Sequence, residues 1–276
     1  MKEKTLQNSH YARLRRRYRD TKGSSSRSFT HLKKKTTSIP EEIIRLYGIH
    51  SVYAALKNPK RIFKCLYITQ NALKRLNMSE SDYPCPVTLC TPKYLDSLVG
   101  NEAVHQGIVL ETFPLKPCKL SELTNTDLVI VMDQITDPHN VGAIMRSAVA
   151  FKAKALITTC HHSPHESGVL AKAASGALEM IPYITVRNLA ETLQELHQTG
   201  FTSFGLDSEG NQSLETTLKG NKIALVLGAE GKGLRKKTRE TVCTLARLDM
   251  PGNIKSLNVS NAATIALYVA HKYLRF

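Results

Sequence analysis

No run in this sequence approaches the roughly 20 consecutive apolar residues that a membrane-spanning helix needs, and no apolar segment of the secretory kind follows its first residues. A soluble protein without a membrane partner is expected. None of the six cysteines, at positions 65, 85, 90, 118, 160 and 243, stands in a CxxC pair. In a chain of this length without a secretory start they read as reduced thiols in a reducing compartment, the cytoplasm or alternatively the mitochondrial matrix. Separated ligand pairs are lacking too. Cys160, His161, His162 and His165 crowd one loop, whereas structural zinc draws its ligands from two segments, so no metal is expected. No GxGxxG follows an apolar run, and the glycine loop over 228–233 is not closed by a Lys-Ser or Lys-Thr pair. A nicotinamide-binding Rossmann enzyme therefore ranks last.

Acids are scarce where bases are dense. Residues 1–40 hold six Lys and six Arg against Glu3 and Asp20 alone, which is ten of the fifteen net positive charges. Such a balance points to a polyanionic partner rather than to a fold. Ser and Thr fill the gaps between the basic clusters and apolar periodicity is absent, so the segment reads as a disordered basic tail. Three roles stand open for it: an arm for nucleic acid, which is favoured, a solubility tail, or a transit peptide. The Lys33-Lys34-Lys35 run and Glu3 count against the last.

The pattern changes at residue 41. Between 41 and 113 the sequence predicts a small α/β unit, with helices over 51–56, 71–76 and 92–99 and strands over 65–69, 86–89 and 107–112. A Pro/Lys stretch opens a linker over 114–124. Residues 125–276 then alternate strand and helix. Strands are expected over 127–132, 155–159, 183–186, 202–206, 223–227 and 246–250, and helices over 141–151, 169–174, 189–198 and 257–274. Apolar runs such as Leu128-Val129-Ile130-Val131 argue a mostly parallel sheet covered on both faces. Ligands bind such sheets at the carboxyl ends of the strands.

Three segments carry candidate chemistry. The stretch from Asp133 through Asp137-Pro138-His139-Asn140-Val141-Gly142-Ala143-Ile144-Met145-Arg146 follows a buried strand and opens a helix. Asn140 is its expected N-cap, Arg146 lies about one and a half turns in, and Gly142 implies a close approach to something else. Leu227-Gly228-Ala229-Glu230-Gly231-Lys232-Gly233-Leu234 sets three glycines around one acid, suited to backbone packing against a flat ligand or to a plain turn. Ser256-Leu257-Asn258-Val259-Ser260-Asn261-Ala262-Ala263 enters the final helix, with Ser256 as a possible cap. Asn258, Ser260 and Asn261 fall in its first turn, where side chains and free N–H groups can face a ligand.

DPHNVGAIMRSA, LGAEGKGL and SLNVSNAA, in this order, resemble the three signature motifs of the SpoU family of RNA ribose methyltransferases. Ala174-Ser175-Gly176-Ala177-Leu178-Glu179 with Pro182 resembles a further stretch of that family. Residues 45–112, from Gly48-Ile49-His50-Ser51-Val52 to His105-Gln106-Gly107-Ile108-Val109, are similar to its N-terminal substrate-binding domain. One departure stands out: Leu248-Asp249-Met250 replaces the family's usual Ile-Pro-Met, which puts the geometry of that loop in question.

The resemblance implies a fold and a reaction. The fold is an α/β SPOUT-type parallel sheet whose C-terminal segment is threaded as a trefoil knot. The reaction is methylation of a ribose 2′-hydroxyl of RNA by S-adenosylmethionine, at a guanosine of large-subunit rRNA by preference. A tRNA methyltransferase and a non-catalytic RNA-binding protein are the alternatives. The family is homodimeric with its site near the interface. By motif, Gly228, Leu248 and Leu257 correspond to residues that hold the cofactor through their backbones. Arg146 corresponds to the residue at the 2′-oxygen, reaching across from the partner subunit. Asn140 is expected to position Arg146 or the ribose, Glu230 to orient the site by hydrogen bonding, and Asn258 and Ser260 to do either.

Overall fold

The computed structural model describes residues 42–275 apart from 124 and 255, and these fall in one compact unit. The basic tail expected over residues 1–40 lies outside them. The described chain builds two sheets. The first is four-stranded, in the order β1-β4-β2-β3, from β1 (Ile44–Tyr47), β2 (Phe63–Ile68), β3 (Val87–Leu89) and β4 (Ile108–Thr112). Helices α1 (Ile49–Leu56), α2 (Gln70–Leu76) and α3 (Pro92–Val99) pack around it. The second and third of these helices are capped by Thr: Thr69 accepts from Ala72 N, and Thr91 from Tyr94 N ahead of Pro92.

The second sheet is seven-stranded and parallel throughout, in the order β7-β6-β5-β10-β8-β11-β9. Its strands are β5 (Leu128–Asp133), β6 (Ala155–Thr159), β7 (Tyr183–Val186), β8 (Thr202–Leu206), β9 (Gln212–Ser213), β10 (Ile223–Gly228) and β11 (Thr244–Arg247). Helices α4 (Pro138–Ala150), α5 (Gly168–Ala174), α6 (Leu189–Gln198), α7 (Leu214–Thr217), α8 (Lys236–Thr241) and α9 (Val259–Arg275) connect and cover it. Every residue of β5 is buried. The period-2 geometry of a strand divides them: Leu128, Ile130 and Met132 join Ile144, Met145 and Leu267 of α4 and α9, while Val129 and Val131 join Leu193 and Leu196 of α6. The expected α/β parallel sheet, covered on both faces, is what forms.

Several expected boundaries move, each for a local reason. Helix α4 starts at Pro138, not Val141, because Asp137 rather than Asn140 caps it; Asp137 Oδ1 accepts from His139 N at 2.9 Å. Arg146 consequently sits mid-helix. Strand β11 was expected over 246–250 but pairs with β8 and β9 only through Arg247. Past that residue its neighbours end, and Pro251 carries no N–H to extend a ladder. The last helix begins at Val259, not Leu257. Asn258, not Ser256, caps it, its Oδ1 accepting from Ser260 N at 2.9 Å. Strand β1, unanticipated, exists because Ile44 to Tyr47 find antiparallel partners in β4.

Candidate active site

Strands β5 and β10 are neighbours whose register pairs Gly228 with Asp133, so both end level. The loops that follow them therefore open side by side, joined by the loop after β11. At the foot of the site Asp133, 1 % exposed, accepts from Arg235 twice, from Nε at 2.6 Å and from the backbone N at 3.0 Å. This ties the end of β5 to the residue that closes the β10 loop. Asp133 opens the first of the three segments that the sequence singles out, but no role is expected for it or for Arg235.

The β10 loop closes on itself. Ala229 N donates to Gly233 O at 3.1 Å and Gly233 N to Ala229 O at 2.8 Å. A Cβ on Gly228 would meet the carbonyl carbon of Gly233 at 2.2 Å. Gly228 is thus required by the chain's own backbone, a more specific demand than the flat ligand its spacing suggested. Gly142 has a similar cause. Its Cβ would lie 2.5 Å from Ala173 Cβ and 2.7 Å from Ala174 N, so the close approach expected there is that of helix α5.

Four of the expected site residues, drawn from all three segments, meet: Asn140, Glu230 and Asn258 form a hydrogen-bonded ring, and Ser260 is attached to it through Asn258. Glu230 Oε1 accepts from Asn140 Nδ2 at 3.0 Å and from Asn258 Nδ2 at 2.8 Å. Asn258 Nδ2 also donates to Asn140 Oδ1 at 3.0 Å. Ser260 Oγ donates to Asn258 Oδ1 at 2.5 Å. Residues 90 and 118 positions from Asn140 thus meet at one point. Asn140 is buried and its amide is committed to this ring, so its partners are Glu230 and Asn258 and not Arg146.

Beside the ring lies a cavity of about 740 Å³ lined by Gly228, Glu230, Leu248, Leu257 and Asn258, with Asp207 from the loop after β8. Its volume is that of a small-molecule site. Asp207 was not anticipated; it ends a parallel strand, where ligand sites gather, and is paired with Arg239. Asp249 points elsewhere. A hydrogen bond with Ser213, followed by the charge of Arg247, holds its carboxyl below the usual range, and Arg247 Nε reaches it at 3.0 Å. Its neighbours Leu248 and Met250 line the cavity, so the family departure at 249 faces away from it.

Arg146 is not in that cavity. It is exposed on α4 and borders a second depression, of about 410 Å³, with Ser147, Phe151, Ser260, Asn261 and Thr264. The first turn of α9 separates the two, with Asn258 facing one and Ser260 lining the other. Among the described residues no group of three or more His, Cys, Asp or Glu side chains could hold a metal ion. Among them, too, no helix is long and apolar enough to cross a membrane.

These features define a parallel α/β protein with a cavity and a polar ring at the carboxyl ends of adjacent strands. The family model for the SpoU rRNA Methylase family matches residues 127–268. A second, for RNA 2′-O ribose methyltransferase substrate binding, matches residues 45–118. The chain belongs to the SpoU rRNA Methylase family. It is 36 % identical over 241 residues to the 23S rRNA (guanosine-2′-O-)-methyltransferase RlmB of Pseudomonas putida, covering 83 % of this chain and 96 % of the relative. With RlmB of Ralstonia nicotianae it is 38 % identical, over 82 % and 94 % of the two chains. Among solved structures, the SpoU methyltransferase AviRb of Streptomyces viridochromogenes in complex with AdoMet superposes with a TM-score of 0.71 at 21 % identity, over 84 % and 90 % of the chains. At that identity the likeness is one of fold.

Proposed function

We propose that this chain methylates a ribose 2′-hydroxyl of large-subunit rRNA, at a guanosine, with S-adenosylmethionine as donor. The observation that carries the reading is the ring of Asn140, Glu230 and Asn258, with Ser260 bonded to Asn258, which joins the three segments beside a ligand-sized cavity. The relatives' names supply the substrate class. The lining fits the cofactor. Leu206, Leu248, Met250, Leu257 and Val259 offer apolar surface to a flat base, the glycine loop offers backbone, and Asp207, Glu209 and Glu230 offer carboxylates to a cation. Gly228, Leu248 and Leu257 would hold it through their main chains.

Once bound, S-adenosylmethionine supplies an electrophilic methyl on a sulfonium, which leaves the protein alignment and control of the hydroxyl proton. A guanidinium has no lone pair free to accept a proton, so the role of Arg146 is not that of a general base. Its part is to stabilise negative charge developing on the 2′-oxygen and to grip the adjacent phosphate. Glu230, accepting from both asparagines, keeps the first turns of α4 and α9 in register at the cavity.

Arg146 and the cavity lie on different faces of one chain, so the complete site takes Arg146 from a second chain. This supports a homodimer. The outer face of α9 suits that contact: Ile265, Tyr268 and Tyr273 are exposed, and Tyr268 packs edge-on to Phe151 beside Arg146 at a centroid distance of 6.0 Å. The path from β11 to α9, which returns to pack on α4 and β10, is consistent with a C-terminal segment threaded as a trefoil knot. Residues 41–113 serve as the RNA substrate-binding unit, 114–124 as the linker and 125–276 as the methyltransferase unit, with residues 1–40 as a phosphate-binding arm. Ribose-methylation mapping of total RNA with and without the protein tests the reading. One rRNA ribose should gain a methyl only in its presence; a methyl gained on tRNA alone, or on no RNA, sinks it.

A further inference from the structure

The stretch running to Ala174-Ser175-Gly176-Ala177-Leu178-Glu179 contributes nothing to the ring or to the cavity. It lies instead against the four-stranded region. A Cβ on Gly168 would fall 2.3 Å from the Arg45 carbonyl oxygen, and Ser51 Oγ donates to Ala171 O at 2.8 Å. Lys172 Nζ donates to Gln106 Oε1 at 2.6 Å. The strongest of these contacts centres on Arg61, in the loop between α1 and β2, whose side chain is fully buried. Its guanidinium donates to Glu179 through Nε at 2.9 Å and Nη2 at 2.5 Å, and to Phe113 O through Nη1 at 3.2 Å. The same Nη1 forms an ion pair with Glu166. Glu166 in turn accepts from Leu115 N at 2.8 Å, and Glu179 accepts from Asn58 Nδ2 at 2.7 Å.

One cation therefore holds the chain where it leaves the last strand of the small region, and two carboxylates of the large region. Burial works against the Arg61 charge, but the hydrogen bond and charge of Glu179 and the charge of Glu166 outweigh it, and the guanidinium stays above its ordinary value. A buried charge set of this kind adds little stability over an apolar one, whereas removing one member leaves a buried charge unpaired. What it can supply is a fixed geometry. That geometry reaches the chemistry, because the opposite side of α5 packs on α4 at Gly142, in the helix that carries Asn140 and Arg146.

We infer that Arg61 is a positioning residue for methyl transfer: with Glu166 and Glu179 it locks the small RNA-binding region onto α5, so that RNA held by that region reaches the active site in one register. The inference rests on the proposed function, and the test separates the two, since rRNA methylation by the wild-type protein reports on that function alone. The full chain is compared with Arg61→Ala, Arg61→Lys and Glu166→Gln. Turnover on rRNA at saturating substrate is divided by the number of sites that bind S-adenosylmethionine, so that misfolded protein drops out of the ratio.

Turnover per competent site should fall about ten- to hundred-fold in Arg61→Ala, the scale of a misplaced reactant, while the Kd for rRNA stays within about three-fold, because the phosphate contacts remain. Arg61→Lys should recover part of the loss, since it keeps the charge without the planar fork. Glu166→Gln, which preserves shape and can still accept from Leu115 N, should lose turnover in the same direction with no loss of RNA affinity. Turnover per site within about two-fold of wild type in both Arg61→Ala and Glu166→Gln overturns the inference. So does a loss that vanishes once activity is divided by cofactor-binding sites.

Discussion

The two depressions flanking the first turn of α9 differ in what builds them. The larger is walled by loops that follow parallel strands, and several of its polar groups are already paired: Glu230 with Asn140 and Asn258, Asp207 with Arg239. The smaller is bounded by the outer faces of α4 and α9, with an exposed arginine, a few hydroxyls and an aromatic edge. A pre-paired site is rigid before its ligand arrives, which is what alignment of a small electrophile demands. An exposed cation on an apolar face is poised for a partner instead. Under the proposed function the two are complementary halves of one site, each lacking what the other has. That difference can be broken experimentally from either side.

The largest effect should follow from the exposed half. Arg146→Ala should reduce turnover by about 10²–10³-fold, the loss typical when a donor to developing negative charge is removed. Binding of S-adenosylmethionine, measured by calorimetry on the same protein, should stay within a few-fold, because Arg146 does not line the larger cavity. Near-normal turnover in this variant would remove Arg146 from the mechanism.

Mixing inactive chains sharpens the same comparison. Gly228→Ala places a methyl on the Gly233 backbone, so it should distort the β10 loop and abolish cofactor binding. If Arg146 acts across an interface, unfolding and refolding Arg146→Ala together with Gly228→Ala should restore about a quarter of wild-type activity. Half of randomly assorted C₂ dimers are mixed, and each of those has one intact site of two. An activity no higher than that of either parent, or an active monomer in sedimentation, would place both halves within one chain.

How much of this was visible in the sequence depends on range. The three segments were legible because each is a cluster of glycines or short polar residues directly after an apolar run. Their convergence was implied by the family resemblance and not by local pattern: Asn140, Glu230 and Asn258 meet because β5 and β10 are adjacent and in register. Asp137 and Asn140 are both good capping residues, and sequence preference alone does not choose between them; the structure spends Asp137 on the helix and frees Asn140 for the ring. Strand β1 was missed because four residues beside a charged tail carry too short an alternation, and its strand state comes from β4. The Asp133–Arg235 pair spans 102 positions and leaves no local mark.

The ring itself should give an intermediate effect. In Asn140→Asp, a donor becomes an acceptor and two carboxyl groups face each other at hydrogen-bond distance, so one must take up a proton or the ring must open. A cost of about 1–3 kcal/mol in stability is expected, as for a buried polar group left unmatched, together with reduced turnover. Glu230→Gln should be milder, because its carbonyl oxygen can still accept from both asparagines. Urea titration of the two variants orders them; equal stability would mean that the ring is not under strain from its pairing.

The smallest effect belongs to the residue that departs from the family pattern. Asp249 stands between two residues that line the larger cavity, yet its carboxyl is exposed and turned to Arg247 and Ser213. If the cavity wall is made by the backbone of this loop and the side chains of Leu248 and Met250, then Asp249→Ala should leave S-adenosylmethionine affinity within about two-fold, as expected for surface substitutions away from special features. The difference in affinity between the two proteins should also be flat with pH through the neutral range. The Asp249 carboxyl, held below its ordinary range, is already ionised there and loses its charge only in acid. Leu248→Asp, one position earlier, should instead weaken the cofactor markedly by setting a charge in the apolar wall. Equal losses at 248 and 249 would show that the loop turns when the cofactor binds, and that the pre-paired half of the site is less rigid than its hydrogen bonds imply.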